Sequence, residues 1–165
     1  MDADRIQQAK RLLISGLRGE GAHLDLETAV AEFPDQLINT RPPNVPYTFW
    51  GQLEHIRRAQ EDLWRYAADP QHVSPAWPDG YWPEPEQQAD RETWDRTVAA
   101  IIRDRERFIA LIDDPQTEIF APVEHMRGGS VFRTALLAID HTAYHLGEFV
   151  MGRQILGYWE SNLKG

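Results

Sequence analysis

Apolar residues recur at intervals of three and four along four long stretches of this sequence, which is the spacing of a single helix face. The clearest stretch runs from about Arg91 to Asp113, where Trp94, Phe108 and Ile112 share one such face. No stretch alternates apolar and polar residues in a way that demands a strand. Four amphipathic helices of comparable length pack together as a bundle, so the sequence predicts an all-α four-helix bundle.

Capping residues and glycines mark the limits of these helices. Thr48 and Ser130 are the predicted N-caps of the second and fourth helical stretches. Glycines interrupt the first stretch, residues 3–33, and glycine costs about 1 kcal/mol in a helix interior. We therefore expect a kink, or a break into two helices, near residues 18–22. The length of 165 residues suits one domain, so residues 1–165 are expected to form a single domain.

A long proline-rich loop is predicted over residues 69–90, which also contain Trp77, Tyr81 and Trp82. Loops longer than about 12–15 residues are uncommon in compact domains and are often lids or binding loops. Two interpretations stay open. The favoured one is a stiff strap that covers the core with its aromatic side chains, and the other is that the loop borders a functional site.

Charge and cysteine content narrow the range of functions. The chain has 26 acidic and 17 basic side chains, a formal net charge of -9, which disfavours nucleic acid and anionic membranes as partners. No apolar run approaches the ~18 residues of a membrane span, and the N-terminus has no secretory pattern. We therefore expect a cytoplasmic protein. The absence of cysteine excludes thiolate ligands, so any metal must be held by imidazole, carboxylate or water.

Three histidines are candidate metal ligands. His141 and His145 lie four residues apart, one turn from each other on the last helix. His55 lies near the middle of the second helix, and side chains from facing helices of a bundle can meet at one depth. Three histidines with an open fourth position are typical of catalytic zinc sites. An ordinary pair of half-buried histidines is the alternative. His72 and His125 lie in predicted loops and are expected to be solvent-exposed. The segment HTAYH lacks the glutamate of HExxH, which disfavours a metalloprotease.

Acidic and aromatic neighbours of these histidines have several candidate roles. Glu148 shares their stripe and is predicted to orient an imidazole, to act on a bound water, or simply to solvate the end of the bundle. Tyr144 is predicted either to bind a water or ligand, or to be an ordinary core tyrosine. Asp62 lies two turns after His55 and is either an acid that orients a ligand or, as favoured here, a surface charge.

The motif in the last helix resembles a known family. The segment 140–147, DHTAYHLG, followed by Arg153 and by Leu156 and Gly157, resembles the last-helix signature of the DinB/YfiT-like family. The segment 53–56, LEHI, which follows a proline-rich entry, is similar to the family's second helix with its single histidine. The similarity covers most of the chain from about residue 21 onward.

This resemblance implies an up-down-down-up four-helix bundle, here with an N-terminal helical extension, that often forms homodimers. It also implies one divalent metal, commonly zinc or nickel, bound by His55, His141 and His145. Some members of the family transfer low-molecular-weight thiols, with the metal stabilising the thiolate, whereas others are linked to stress by name alone. Position 148 often carries glutamine in this family, so Glu148 is a departure.

Three functional hypotheses follow. The first is a metal-dependent enzyme, a transferase or hydrolase acting on a small molecule, in which Tyr144 or Glu148 moves a proton and any thiol comes from a cofactor. The second is a metal-binding, stress-related bundle without turnover. The third is a metal-free dimerisation module whose interface includes Tyr158, Trp159 and the exposed face of the third helix. The two metal-binding hypotheses are favoured over the third.

Overall fold

Five α-helices make up the regular structure of residues 2–159, the part of the chain that the computed structural model describes. They are α1 (Ala3–Arg18), α2 (Leu26–Val30), α3 (Phe49–Ala68), α4 (Arg91–Asp113) and α5 (Val131–Ile155). No strand occurs within residues 2–159, so the all-α prediction is confirmed. The predicted single domain, residues 1–165, includes Met1 and residues 160–165, which lie outside the described part.

The predicted helix limits agree with the structure. The Thr48 hydroxyl accepts a hydrogen bond from the backbone N–H of Gly51 at 2.9 Å, and Ser130 caps α5 in the same way. The N-terminal stretch forms two helices, because α1 ends at Gly19 with φ 75°, a left-handed conformation that suits glycine. The short helix α2 then starts after its own N-cap, Asp25.

The four long helices form the bundle. Helix α3 packs against α4 and α5, and α1 packs against the same two helices. Helix α1, the predicted N-terminal extension, is therefore one of the four packed helices of the bundle. Among the helices of residues 2–159, none combines the length and the apolar character that crossing a membrane requires.

An aromatic cluster sets how α5 lies against the start of α3. Phe33 stacks on Trp94 with ring centroids 4.4 Å apart, and Phe49 meets Phe149 edge to face at 5.1 Å. All four side chains are buried. A second apolar cluster fills the other end of the bundle and includes Leu13, Phe108, Ile112, Ile119, Val131 and Ala135. The aromatic cluster fixes the depth at which the polar residues of α3 and α5 face each other, because Phe149 lies one turn after His145.

Residues 69–90, called the strap below, connect α3 to α4 and run along the outside of α3. They contain a short 3-10 turn at Asp79–Tyr81. The strap does not simply cover the core, because Trp77 is 73% exposed. Trp82 instead stacks on His55, with ring centroids 3.8 Å apart and planes 4° from parallel. The favoured expectation is therefore wrong for Trp77, whereas Trp82 supports the alternative, since the strap borders the histidine cluster.

Candidate metal centre

Three imidazoles meet between α3 and α5. The Nε2 atom of His55 lies 3.0 Å from Nε2 of His141 and 3.2 Å from Nε2 of His145. One ring nitrogen from each of the three residues falls within 4.8 Å of the others. His55 and His145 are buried, whereas His141 is half-buried and reaches toward the surface. The fold thus brings together the histidines that the sequence singles out.

Hydrogen bonds behind two of the rings determine which nitrogens face the cluster. The Nδ1–H of His55 donates to the backbone carbonyl of Tyr81 at 2.9 Å. The Nδ1–H of His145 donates to Oε2 of Glu148 at 2.8 Å. Because these oxygens only accept, the protons of the neutral rings are on Nδ1, and both Nε2 atoms carry lone pairs. Two lone pairs facing each other at 3.2 Å repel unless a cation lies between them.

Burial keeps the rings of His55 and His141 neutral at physiological pH. Loss of solvation, reinforced by the neighbouring His145 and His55, lowers the pKa of His141 to about 4. Loss of solvation also lowers the pKa of His55, although the hydrogen bond to Tyr81 opposes that effect. Neutral imidazole is the form that binds a metal, so His55 and His141 require no deprotonation before they can coordinate.

The donor set fits a divalent transition metal. Zinc–nitrogen bonds of about 2.0–2.1 Å in a tetrahedral arrangement place ligand nitrogens roughly 3.3 Å apart. The Nε2 separations of 3.0 and 3.2 Å are close to that value. Three imidazoles without a fourth protein ligand leave a position for water or substrate, and nitrogen ligands suit zinc and nickel alike.

Glu148 lies behind His145 and accepts three hydrogen bonds on one oxygen. Its Oε2 atom receives the Nδ1–H of His145 at 2.8 Å, the hydroxyl of Tyr47 at 2.9 Å and the amide of Gln52 at 3.1 Å. Burial alone would raise the pKa of Glu148, but the hydrogen bonds from Tyr47 and His145 outweigh it and lower that pKa, so the carboxylate stays ionised. Of the roles predicted for Glu148, the geometry favours orientation of the His145 ring.

Tyr144 lies at the outer edge of the cluster. Its ring meets that of His145 edge to face at 4.9 Å, and its side chain is 63% exposed. It is therefore not the core tyrosine that was the alternative expectation. The nearby Glu148 carboxylate raises the pKa of Tyr144, which keeps its hydroxyl protonated at neutral pH.

Tyr47 and Trp82 belong to the site, although the sequence assigned no role to Tyr47. Tyr47 stacks on Trp82 with ring centroids 4.8 Å apart. Burial and the Glu148 carboxylate raise the pKa of Tyr47, so it remains a hydrogen-bond donor. Both rings also line a cavity of about 320 Å³, together with Arg41 and Thr48. No sequence signal marks Tyr47, because it lies in an aperiodic connector.

Three expectations about other polar residues are wrong. Asp62 is only 8% exposed and is therefore not a surface charge. His72, expected to be solvent-exposed, has its Nε2 atom 2.7 Å from Oδ1 of Asp62. The Nε2–H of His125, likewise expected in solvent, donates to the backbone carbonyl of Tyr66 at 2.8 Å.

The helices of the described residues form a bundle in which three imidazoles from two facing helices meet at one point. The protein therefore falls in the class of helix bundles that have a candidate metal site between their helices. The family model described as the DinB superfamily matches residues 20–149, and the chain therefore belongs to the DinB superfamily. The match begins after α1 and contains all three clustered histidines. No curated protein and no solved structure matches the chain.

Proposed function

We propose that this protein binds one divalent metal ion, zinc or nickel, through His55, His141 and His145 and uses it in a reaction on a small molecule. The observation that carries the proposal is the close approach of the Nε2 atoms of His55 and His145, 3.2 Å apart, while an oxygen acceptor engages Nδ1 of each ring. In neutral rings with this tautomer both Nε2 atoms are acceptors that repel each other, and a divalent ion shared between them would remove that repulsion.

The proposed reaction is a transfer or hydrolysis. A bound divalent ion supplies positive charge that lowers the pKa of a water or thiol. The chain has no cysteine, so a thiol nucleophile would have to be a separate low-molecular-weight thiol. Glu148 holds the His145 ring through its ionised oxygen, and the exposed, protonated Tyr144 is the favoured proton donor. Trp82 covers one face of His55 and keeps water from it.

A metal-binding protein without turnover is the second candidate. The burial of His55 and His145, at 2% and 8% exposure, favours it, since structural metals are usually enclosed. The half-buried His141 favours the catalytic alternative because it leaves one side of the cluster accessible. Chelator separates the two, since removal of a structural metal costs much of the folding free energy, whereas removal of a catalytic one costs little.

We also propose that the protein is a cytoplasmic homodimer with no nucleic-acid partner. Leu137, Tyr144 and Met151 are seven residues apart on α5 and are 44%, 63% and 57% exposed. Such an apolar stripe supports pairing with a second copy. The net charge of -9 supports the absence of a phosphate-backbone partner.

Metal quantification of untagged protein tests the central proposal. We expect about one zinc or nickel ion per chain, as three converging imidazoles imply. His55→Ala and His141→Ala should lose the metal, whereas the control His125→Ala, a histidine outside the cluster, should keep it. Full metal content in His55→Ala would contradict the ligand assignment. Equal small-thiol transfer by wild type and His141→Ala would contradict a metal-dependent reaction.

A further inference from the structure

One polar stripe of α3 faces the strap. His55, Arg58 and Asp62 are separated by three and four residues, which places them on the same side of the helix. Each of the three bonds to the strap, and together they extend from the metal centre to a point two turns away. The metal ligand His55 is thus one member of a longer set of contacts.

Three consecutive backbone carbonyls of the strap accept hydrogen bonds from this stripe. The guanidinium of Arg58 donates to the carbonyl of Trp82 at 2.8 Å and to that of Gly80 at 3.3 Å. The carbonyl between them, on Tyr81, receives the Nδ1–H of His55 at 2.9 Å. The acceptor that orients His55 therefore belongs to a strap segment that α3 itself holds in place.

Asp62 forms two further hydrogen-bonding contacts with the strap. Its Oδ2 atom accepts the hydroxyl of Tyr81 at 2.7 Å, and its Oδ1 atom lies 2.7 Å from Nε2 of His72. Burial and the Asp62 carboxylate raise the pKa of Tyr81 to about 12, so the hydroxyl remains a donor. Tyr81 is consequently attached to α3 twice, by its hydroxyl to Asp62 and by its carbonyl to His55.

We propose that Asp62 and the hydroxyl of Tyr81 are positioning residues of the metal centre, acting on His55 through the Tyr81 carbonyl and the Trp82 ring. Without this attachment, only Arg58 and the His55 ring itself hold the strap segment against α3. The Tyr81 carbonyl and the Trp82 ring are then held less firmly, so the tautomer and orientation of His55 are set less tightly. This inference rests on the proposed metal function of the cluster.

Cobalt(II) binding tests the proposal, because its visible absorption reports the geometry of the ligands as well as affinity. Tyr81→Phe removes only the hydroxyl and keeps the backbone carbonyl, so we expect the variant to fold. Its cobalt affinity should fall about tenfold, the lower end of the roughly 10–100-fold loss seen when a group that orients a metal ligand is removed. Asp62→Ala, which also breaks the contact with His72, should give at least as large a loss. The double variant should lose no more than Asp62→Ala alone, since both substitutions break the same Tyr81–Asp62 contact. The cobalt spectrum should change in all three.

Gln60→Ala is the matched control. Gln60 lies on α3 two residues before Asp62, is also buried, and donates to the backbone carbonyl of Ile101 on α4 rather than to the strap. It should lower stability and leave the cobalt affinity and spectrum unchanged. Wild-type affinity and spectrum in Tyr81→Phe, or an equal loss in Gln60→Ala, would overturn the positioning role and leave the metal site standing. A wild-type protein that binds no cobalt would overturn the metal site as well.

Discussion

Substitution of Glu148 separates the two things that this residue contributes, an acceptor oxygen and a negative charge. All three donors, from His145, Tyr47 and Gln52, converge on the same oxygen, Oε2. Glu148→Gln can present a neutral oxygen at that position and keep all three hydrogen bonds. Glu148→Ala removes the acceptor altogether.

The expected magnitudes follow from this geometry. A hydrogen bond to a charged group contributes about 1 kcal/mol more than one to a neutral group, so Glu148→Gln should weaken metal binding only about fivefold. Glu148→Ala leaves the Nδ1–H of His145 without its acceptor, and loss of such a partner typically lowers metal affinity about 10–100-fold. The Glu148 side chain is 32% exposed, so water replaces part of the lost bonding and the lower half of that range is expected.

Competition of each variant with a chromophoric zinc chelator measures these affinities, and far-UV circular dichroism checks that α5 is intact. Turnover adds a second readout. A Glu148→Gln variant that retains metal but loses activity would identify Glu148 as a proton carrier, and one that retains both would identify it as an orienting group. Wild-type affinity in Glu148→Ala would refute the reasoning, and so would a loss in Glu148→Gln as large as that in Glu148→Ala.

The remaining predictions concern the fold, its pH dependence and its assembly. Phe149 is 0% exposed and lies between Phe49 and Trp94. Phe149→Ala should lower the free energy of unfolding, measured by urea titration, by about 3–5 kcal/mol. A loss under about 1 kcal/mol, roughly the value of one buried methylene, would contradict the assignment of Phe149 to the core. The hydrogen bond from Arg105 lowers the pKa of Glu27 below its ordinary value of 4.5. The ion pair therefore stabilises the folded protein above pH 4.5, and this stabilisation is lost as the pH falls through the lowered pKa. Glu27→Gln should therefore be less stable than wild type at pH 7 and equal to it in acid, and a difference independent of pH would contradict this. Met151→Asp should convert the proposed dimer into a monomer in light scattering with unchanged metal content, whereas an unchanged mass would show that α5 is not the interface.

Local sequence signals predict the helices because helix formation depends on residues three and four apart. The caps at Thr48 and Ser130 and the break after Arg18 could be read directly, since each depends on a side chain or glycine within one turn of the helix end. The pairing of His141 with His145 has the same origin, because a spacing of four places both on one side of α5.

The surroundings of the histidine cluster were not predictable in this way. Tyr47 and Glu148 are 101 residues apart in the chain, and nothing near either residue indicates their contact. The strap has no periodicity, so the position of Trp82 against His55 and the burial of Asp62 emerge only when α3, α5 and the strap pack together.

The order of residues along the chain is thus enough to predict an all-helical protein without cysteine in which three histidines can reach a common depth. Which nitrogens face one another, which groups hold the rings and where the strap lies are set by packing between distant segments. Helix formation is governed by neighbours along the chain, whereas ring orientation is governed by hydrogen bonds and stacking between segments that meet only in the folded state.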